Sequence, residues 1–329
     1  MTRTFSVEDP SRVAEVRRAA AALSHDEGLD QTLAANAALI STEICTNLLK
    51  HARHGEVFLS TLSDRTGPGI EILAIDRGPG ITDVAQCLAD GYSSTDTPGT
   101  GLGAIARLSQ EFDIYSQVGK GTVLVAQIRT GSRAKTFVGA VVKPIAGEEV
   151  AGDAWAFRER DGRLALIVAD GLGHGLMAAR ASAEAISAFR RDSESAPIAV
   201  LNRVHAALRS TRGAAVAIAE IDPTQGVVRY AGIGNISGVI VRSDRPLSMV
   251  SHNGTAGFHI PRLQEFLYPL PEEALIVMHS DGLTTNWNLD HYPGLRRRHP
   301  SIIAGVLYRD ASRSRDDVSV VAARITRAP

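Results

Sequence analysis

The chain has few of the features that mark secreted, membrane-spanning or nucleic-acid-binding proteins. It contains only two cysteines, Cys45 and Cys87, whose spacing does not suit a metal site and indicates thiols in a reducing compartment. Its 35 basic residues balance 36 acidic ones, so no excess positive charge predicts nucleic-acid binding. No apolar run approaches the roughly 18 residues of a membrane span, and residues 1–10 lack a signal core. We therefore expect a cytoplasmic protein that binds neither nucleic acid nor membrane.

One stretch near the middle of the first half combines a buried strand with a glycine-rich turn. Residues 70–75, IEILAI, are apolar and rich in β-branched side chains, which predicts a buried strand. Asp76 follows directly and leads into Arg77-Gly78-Pro79-Gly80, where the backbone can approach a ligand closely. On its own, an Asp-x-Gly-x-Gly is most often only a turn.

Two neighbouring segments supply groups that suit a nucleotide. The segment Gly99-Thr100-Gly101-Leu102-Gly103 precedes a helical pattern, so its free N–H groups suit a polyphosphate. Upstream, residues 33–51 predict a helix on which Glu43 and Asn47 share a face. Glu43 offers a general base and Asn47 an oxygen ligand for Mg²⁺.

In this order and spacing, residues 10–128 resemble the Bergerat-type (GHKL) ATP-binding fold of histidine kinases, gyrase and Hsp90-like ATPases, and within it the RsbT-like anti-sigma-factor serine/threonine kinases. The resemblance extends to Asp90-Gly91-Tyr92-Ser93-Ser94 and to Val118-Gly119-Lys120-Gly121-Thr122. It implies an α/β sandwich in which Glu43 is the catalytic base and Asn47 binds Mg²⁺. It also implies an ATP site formed by Asn47, Asp76, Gly78, Gly80, Gly99, Thr100, Gly101, Leu102, Gly103 and Thr122.

A short polar segment, Thr130 to Lys135, separates this region from a second series of strands. We therefore predict an ATP-binding kinase domain at residues 1–130, a linker at 131–136 and a second domain at 137–329. Because both parts mix helices with strands, the predicted fold class is α/β (α+β).

The second domain places four acidic residues at the ends of predicted strands, namely Asp153, Asp170, Asp281 and Asp316 or its neighbour Asp317. Any one of them is a turn residue by default. Carboxylates gathered at one end of a sheet repel each other unless a cation is present. Together they suggest a site for two Mg²⁺ or Mn²⁺ ions that activate water and neutralise phosphoryl charge.

The motifs Gly152-Asp153-Ala154-Trp155, residues 169–175 (ADGLGHG), Ser280-Asp281-Gly282-Leu283 and Asp316-Asp317-Val318-Ser319 resemble those of the metal-dependent protein phosphatase 2C superfamily. The similarity covers residues 137–326 and is greatest to the SpoIIE-like and compact RsbX-type branch. It implies an α-β-β-α sandwich whose metals are held by Asp153, Asp170, the carbonyl of Gly171, Asp281 and Asp316. The catalytic residues implied are Asp153, Asp170 and Asp281, and the reaction is hydrolysis of phosphoserine or phosphothreonine.

Three further polar residues lie beside these motifs. His174 is either a general acid or, more simply, a cap for the following helix. His279, before Ser280-Asp281, is expected to be a core residue or to lie behind the metal ligands. Asn235, in a Gly-x-Gly-Asn segment, is a weaker candidate for positioning substrate than the aspartates.

The two resemblances together predict a bifunctional regulator of a bacterial partner-switching pathway. The substrates they imply are STAS-domain proteins, phosphorylated by the first domain and dephosphorylated by the second. One alternative is a phosphatase regulated by ATP that binds a non-catalytic first domain. Another is a non-catalytic module that binds a sigma factor or a STAS partner. Glu43 argues against both, and homo-oligomerisation is left open.

Overall fold

The chain forms two compact units in the computed structural model, which describes residues 2–64, 67–88, 101–131, 137–191, 196–242 and 245–326. Unit 1 contains Met1–Ala134 together with Tyr292–Arg309, and unit 2 contains Lys135–His291 together with Asp310–Pro329. The linker predicted at residues 131–136 lies almost wholly outside the described residues. The domain bounds 1–130 and 137–329 stay a prediction. They describe two consecutive domains, whereas Tyr292–Arg309 belongs to unit 1 although it lies late in the sequence.

Unit 1 is built on a five-stranded antiparallel sheet in the order β1-β2-β3-β5-β4. Its strands are β1 (Thr2–Val7), β2 (Gly55–Asp64), β3 (Gly67–Ile75), β4 (Glu111–Gln117) and β5 (Gly121–Arg129). Four helices accompany the sheet: α1 (Pro10–Asp26), α2 (Gln31–His51), α3 (Val84–Leu88) and α4 (Gly101–Leu108). Helix α2 begins where Asp30 accepts a hydrogen bond from the Leu33 N–H at 2.8 Å, which satisfies a donor of the first turn.

Both faces of β3 are buried, as its unbroken apolar run predicts. Ile70, Ile72 and Ala74 belong to the core shared with α1, α2 and α4. Leu73 and Ile75 alternate with them along the strand and therefore point to the opposite face, where they are also buried. The opposite face thus needs a cover of its own.

Unit 2 contains two five-stranded antiparallel sheets, in the orders β13-β10-β9-β8-β7 and β12-β11-β14-β15-β6. The strands are β6 (Phe137–Lys143), β7 (Asp153–Arg160), β8 (Arg163–Gly171), β9 (Ala214–Asp222), β10 (Val227–Ile233), β11 (Ser237–Val241), β12 (Leu247–Met249), β13 (Phe266–Pro269), β14 (Glu273–His279) and β15 (Val318–Thr326). One core lies between the sheets, where Leu166 and Val168 of β8 join Ile276 and Met278 of β14.

Two helices, α5 (Leu176–Arg191) and α6 (Pro197–Ala207), cover the outer face of the first sheet. Helix α5 turns Ala181, Ala185 and Phe189 towards β8, because these positions recur on one side of the helix. The alternation along β8 therefore serves two cores: Ile167 packs under the helices, and its neighbours Leu166 and Val168 pack between the sheets.

The second face of the unit 1 sheet is covered by Tyr292–Arg309, which we call the α7 segment because it contains most of helix α7 (Pro300–Ala311). The Tyr308 ring packs edge-on against Phe58 with centroids 5.7 Å apart. A β-carbon on Gly305 would lie 2.7 Å from Val123, so this helix lies close to β5. No helix is predicted from the sequence at Pro300–Ala311.

The mixed α/β architecture predicted from the sequence is confirmed, with most predicted elements present within a few residues of their expected ends. Strands β1, β4, β12 and β13 and helix α3 are not predicted from the sequence. None of the helices in the described ranges is both long enough and apolar enough to cross a bilayer.

Candidate functional site

In unit 1, Asp76 lies immediately after β3 and its carboxylate is buried. Its backbone N–H donates to the Thr122 carbonyl at 2.9 Å, and its Oδ1 accepts from the Gly78 N–H at 2.6 Å. Burial raises the pKa of Asp76, while the backbone of Gly78 and Thr122 and the charge of Arg309 oppose that rise. The carboxylate is therefore held in a fixed orientation at the end of a central strand.

Gly121 allows the turn into β5 to approach Asp76 closely. Its φ of +95° lies in the left-handed region, and any β-carbon there would collide with the Asp76 carbonyl. A glycine is required at this position for the Asp76 loop to keep its shape. The adjacent Thr122, predicted to contact nucleotide, pairs its hydroxyl with that of Ser116 at 2.9 Å.

The predicted base and Mg²⁺ ligand on α2 lie next to Gly101, the first residue of α4. A β-carbon on Gly101 would lie 3.5 Å from Glu43 Oε2 and 3.5 Å from Asn47 Nδ2. Glu43 and Asn47 are one helical turn apart on α2, so both reach the start of α4. Gly103 is buried and Leu102 packs against the core, whereas Gly99 and Thr100 lie outside the described residues. This arrangement places a carboxylate and an amide oxygen beside the glycine-rich segment.

In unit 2, Asp153 and Asp170 face each other across neighbouring strands. They are register partners on β7 and β8. Asp153 is buried, and its Oδ2 accepts from the Ser280 hydroxyl at 2.6 Å, which ties the first sheet to the end of β14 in the second. The other oxygen, Asp153 Oδ1, is buried and has no hydrogen-bond partner among the residues that the structure describes. A buried carboxylate oxygen with no donor is an available ligand for a cation.

Five carboxylates of unit 2 are close enough to perturb one another's pKa values. Burial raises the pKa of Asp170, and the negative charges of Asp153, Asp281 and Asp316 raise it further. Burial likewise raises the pKa of Asp153, with contributions from Asp317 and Asp316. Within the described residues, no three His, Cys, Asp or Glu side chains already stand at mutual ligand distances. The crowding of like charges and the orphaned Asp153 Oδ1 nevertheless fit a divalent cation, because a cation removes the repulsion.

The structure distinguishes Asp316 from Asp317. Asp317 is buried, and its two oxygens accept from the backbone N–H groups of Ile145 and Gly152, each at 2.7 Å. Asp316 is exposed and contributes to the raised pKa values of Asp153 and Asp170. Asp317 thus fixes the loop in front of Asp153, whereas Asp316 Oδ1 accepts from the Asp317 N–H at 2.9 Å and its charge acts on Asp153 and Asp170.

The remaining predicted residues take supporting positions. Asn235 donates from Nδ2 to Asp281 Oδ2 at 2.8 Å, so it orients that carboxylate. His279 is buried; its Nδ1 donates to the Ser280 carbonyl, its Nε2 accepts from Trp287 at 3.2 Å, and burial lowers its pKa. His174 is exposed and pairs with Glu148 at 2.7 Å. Gly171, the predicted carbonyl ligand, donates its N–H to the Gly152 carbonyl at 3.1 Å.

Two residues near this cluster, Ser280 and Glu148, are not singled out by the sequence, which names Asp317 only as an alternative to Asp316. Ser280 directly precedes Asp281 in its motif, but its hydrogen bond to Asp153 has no signal in the sequence. Glu148 lies in an irregular segment, Ile145 to Val150, and carries no pattern that separates it from a surface residue.

Comparisons with known families match two separate parts of the chain. Residues 160–326 match the family model of Stage II sporulation protein E (SpoIIE), and residues 7–128 match that of the histidine kinase-like ATPase domain.

Two curated relatives, both from Bacillus subtilis (strain 168), match separate parts. Serine/threonine-protein kinase RsbT is 35% identical over 85 residues, which are 26% of this chain and 64% of RsbT. Phosphoserine phosphatase RsbX is 29% identical over 90 residues, which are 27% of this chain and 45% of RsbX. The chain thus covers less than two thirds of the length of each.

Solved structures agree on the fold of the phosphatase-like part. A chain from work on the bacterial stressosome, described as a modular system adapted to control secondary messenger signaling, has 29% identity and a TM-score of 0.54, covering 58% of this chain and 100% of its own length. RsbX in complex with magnesium has 18% identity and a TM-score of 0.52, covering 59% and 98%. Since the SpoIIE model spans just over half of the sequence, the chain belongs to the SpoIIE family, in which a phosphatase 2C-like domain here follows a histidine kinase-like ATPase domain.

Proposed function

We propose that this chain carries two opposing activities, an ATP-dependent serine/threonine kinase at its N-terminus and a Mn²⁺- or Mg²⁺-dependent phosphoserine/phosphothreonine phosphatase at its C-terminus. The observation that carries the phosphatase is the carboxylate cluster around Asp170. The names of the two curated relatives, a kinase and a phosphatase, support the pairing. The substrates we propose are STAS-domain proteins of a partner-switching pathway, because both relatives carry Rsb names and one similar structure comes from a stressosome study.

In the phosphatase, the chain's own residues hold and orient the reacting groups. Asp153, Asp170, Asp281, Asp316 and the Gly171 carbonyl would hold two divalent cations, which when bound activate water and neutralise charge on the phosphoryl group. Ser280 fixes the ligand face of Asp153, and Asn235 fixes that of Asp281. Asp317 holds the Gly152 backbone and so positions Asp153.

In the kinase, Glu43 accepts the proton of the attacking serine or threonine hydroxyl. Asn47 would supply an oxygen to the Mg²⁺ that accompanies ATP, and Asp76 would accept a hydrogen bond from the adenine amino group. The positions of Glu43 and Asn47 beside Gly101 support these roles, since base and phosphate-binding backbone must lie within a few ångströms of each other.

A second candidate is a phosphatase that ATP regulates without phosphoryl transfer. It is favoured by the α7 segment, because this segment packs on the sheet that carries Asp76 while its last residue leads directly to the Asp316 loop. The charge of Arg309 acts on Asp76. Arg309 is only seven residues before Asp316, so a change at the nucleotide site has a short path along the chain to that aspartate.

The test is to incubate the purified full chain with STAS-domain proteins and radiolabelled ATP, and separately with their phosphorylated forms, with and without Mn²⁺. Transfer of label to a STAS protein supports the kinase, and Mn²⁺-dependent release of phosphate supports the phosphatase. Phosphate release that changes with ATP, in the absence of any transfer, selects the second candidate. No transfer and no release would leave only a binding module.

A further inference from the structure

Four large apolar side chains are exposed to solvent near the segment that follows Asp170 in unit 2. The exposed fractions are 55% for Leu172, 75% for Leu176, 46% for Met177 and 65% for Phe258. These four residues, which we call the apolar rim, are almost half of the large apolar residues that are exposed in the described part of the chain. Exposed apolar side chains gathered at one site mark interaction surfaces more often than isolated ones do.

The rim is continuous with the carboxylate cluster. Leu172 follows Gly171 and donates its backbone N–H to the Gly213 carbonyl at 3.0 Å. A β-carbon on Gly213 would lie 2.8 Å from the Phe258 ring. Leu176 and Met177 open α5, six and seven residues after Asp170. Phe258, Leu172 and the start of α5 therefore adjoin the segment that directly follows Asp170.

A basic group stands within the same surface. A β-carbon on Gly173 would lie 3.4 Å from the Arg212 guanidinium, so Arg212 leans over the loop that carries Asp170 and Gly171. Arg212 is exposed, and among the described residues it has neither an ion pair nor a hydrogen bond. A guanidinium without a carboxylate partner beside a phosphatase site suits a phosphoryl group.

We propose that the apolar rim and Arg212 form the docking surface for the phosphorylated protein substrate, the rim contacting apolar side chains next to the phosphorylated residue and Arg212 contacting its phosphoryl group. The inference rests on the proposed phosphatase function and adds how that site selects a folded protein over other phosphate esters. Two metal ions bind any phosphate monoester, so selectivity must come from contacts beyond the phosphoryl group. Apolar burial supplies such contacts, and charge complementarity at Arg212 orients the substrate.

The test compares Leu176→Ala/Phe258→Ala with Leu267→Ala, which removes an equally exposed side chain from β13 at the far edge of the same sheet. Substrates are a phosphorylated STAS-domain protein and p-nitrophenyl phosphate. We expect the double variant to raise KM for the phosphoprotein about tenfold with little change in kcat, to leave p-nitrophenyl phosphate hydrolysis unchanged, and to bind the unphosphorylated STAS protein in EDTA about tenfold more weakly. Leu267→Ala should match the parent in all three measurements.

Arg212→Ala is compared with Arg209→Ala, which removes an exposed arginine three residues away. We expect Arg212→Ala to raise the inhibition constant of inorganic phosphate about tenfold, Arg212→Lys to restore part of it, and Arg209→Ala to leave it unchanged.

An unchanged phosphoprotein KM in the rim variant overturns the docking surface, and so does equal loss on both substrates. A change of the rim variant's oligomeric state would show instead that the rim binds a second copy of the chain. If the parent protein hydrolyses neither substrate, the proposed phosphatase function fails. If the parent and the rim variant hydrolyse the phosphoprotein equally well, only the docking surface fails.

Discussion

Asp317 holds the backbone of Gly152 with a 2.7 Å hydrogen bond, and the residue after Gly152 is Asp153. A residue near the end of the chain thereby sets the position of the first metal-binding candidate. Its neighbour Asp316 is exposed and makes neither of these two hydrogen bonds, although the two residues have the same chemistry.

The first prediction separates these two aspartates. Asp317→Ala should lower the free energy of unfolding by about 2–4 kcal/mol, because two backbone donors lose their charged acceptor. Asp316→Asn should leave the unfolding free energy within about 1 kcal/mol and reduce phosphatase turnover strongly. Denaturant unfolding and steady-state hydrolysis of p-nitrophenyl phosphate measure the two effects. The assignment is wrong if the two variants exchange phenotypes.

The second prediction concerns the metal. Asp170→Asn and Asp281→Asn should each lower kcat by about a hundredfold or more while KM changes little, since the lost ligand acts on the reacting water. Chelation should stop the parent enzyme and Mn²⁺ should restore it. Mn²⁺ should also raise the melting temperature of the parent protein by relieving carboxylate repulsion, and this increase should shrink in Asp170→Asn. Full activity after exhaustive chelation would contradict the two-metal interpretation.

The third prediction concerns nucleotide binding. Asp76→Asn should weaken ATP binding by about 1.5–3 kcal/mol, the range for a hydrogen bond to a charged group. The matched control is Asp26→Asn, which changes the same charge at the exposed end of α1. Isothermal titration calorimetry measures both. Equal affinity in Asp76→Asn and Asp26→Asn would remove Asp76 from the adenine site.

The fourth prediction separates the base from the ligand. Glu43→Ala should abolish phosphoryl transfer to a STAS protein and keep ATP affinity, whereas Asn47→Ala should lose the Mg²⁺-dependent part of that affinity. Calorimetry with and without Mg²⁺, together with a transfer assay, distinguishes the two. If Glu43→Ala transfers phosphate as fast as the parent, the N-terminal domain is a nucleotide sensor.

The fifth prediction concerns pH. Glu71 is fully enclosed, accepting from Ser301 Oγ at 2.7 Å and Gln127 Nε2 at 2.8 Å, and burial raises its pKa despite the opposing charge of Arg129. A carboxyl group with a raised folded pKa favours the fold only while it is protonated. As pH rises from about 4.3, the unfolded value, through the folded pKa, the parent should lose stability relative to Glu71→Gln, whose amide does not titrate. Urea unfolding of both proteins across this range measures the difference, and a difference that grows in the parent's favour would show that Arg129 outweighs burial.

The elements that carry the site were predictable because they end in strong local signals. Residues 70–75 and 164–169 are apolar runs that stop at an aspartate, and the strands they form deliver Asp76 and Asp170 as expected. Helical spacing predicts that Glu43 and Asn47 share one face of α2, and both lie beside Gly101.

The parts that were missed depend on partners far away in the sequence. Strand β4 reads EFDIYSQ, which is too polar to predict until β5 pairs with it. Asp316 and Asp317 are adjacent and chemically identical, so only the hydrogen bonds to Ile145 and Gly152 separate them. Helix α7 pairs Ser301 with a residue 230 positions earlier, which no local pattern reports.

Because of the α7 segment, unit 1 is built from two parts of the chain that are far apart in sequence. A single cut in the linker would leave the two pieces bound to each other, because Tyr308 and Ser301 would still sit on the sheet formed by the first piece. For the same reason neither unit corresponds to one uninterrupted stretch of coding sequence. Removing residues 1–134 would expose the face of α7 that is buried against the sheet, where Gly305 lies against β5 and Tyr308 against β2. Loss of either part of the chain should therefore disturb the folding of unit 1, because unit 1 is assembled from both.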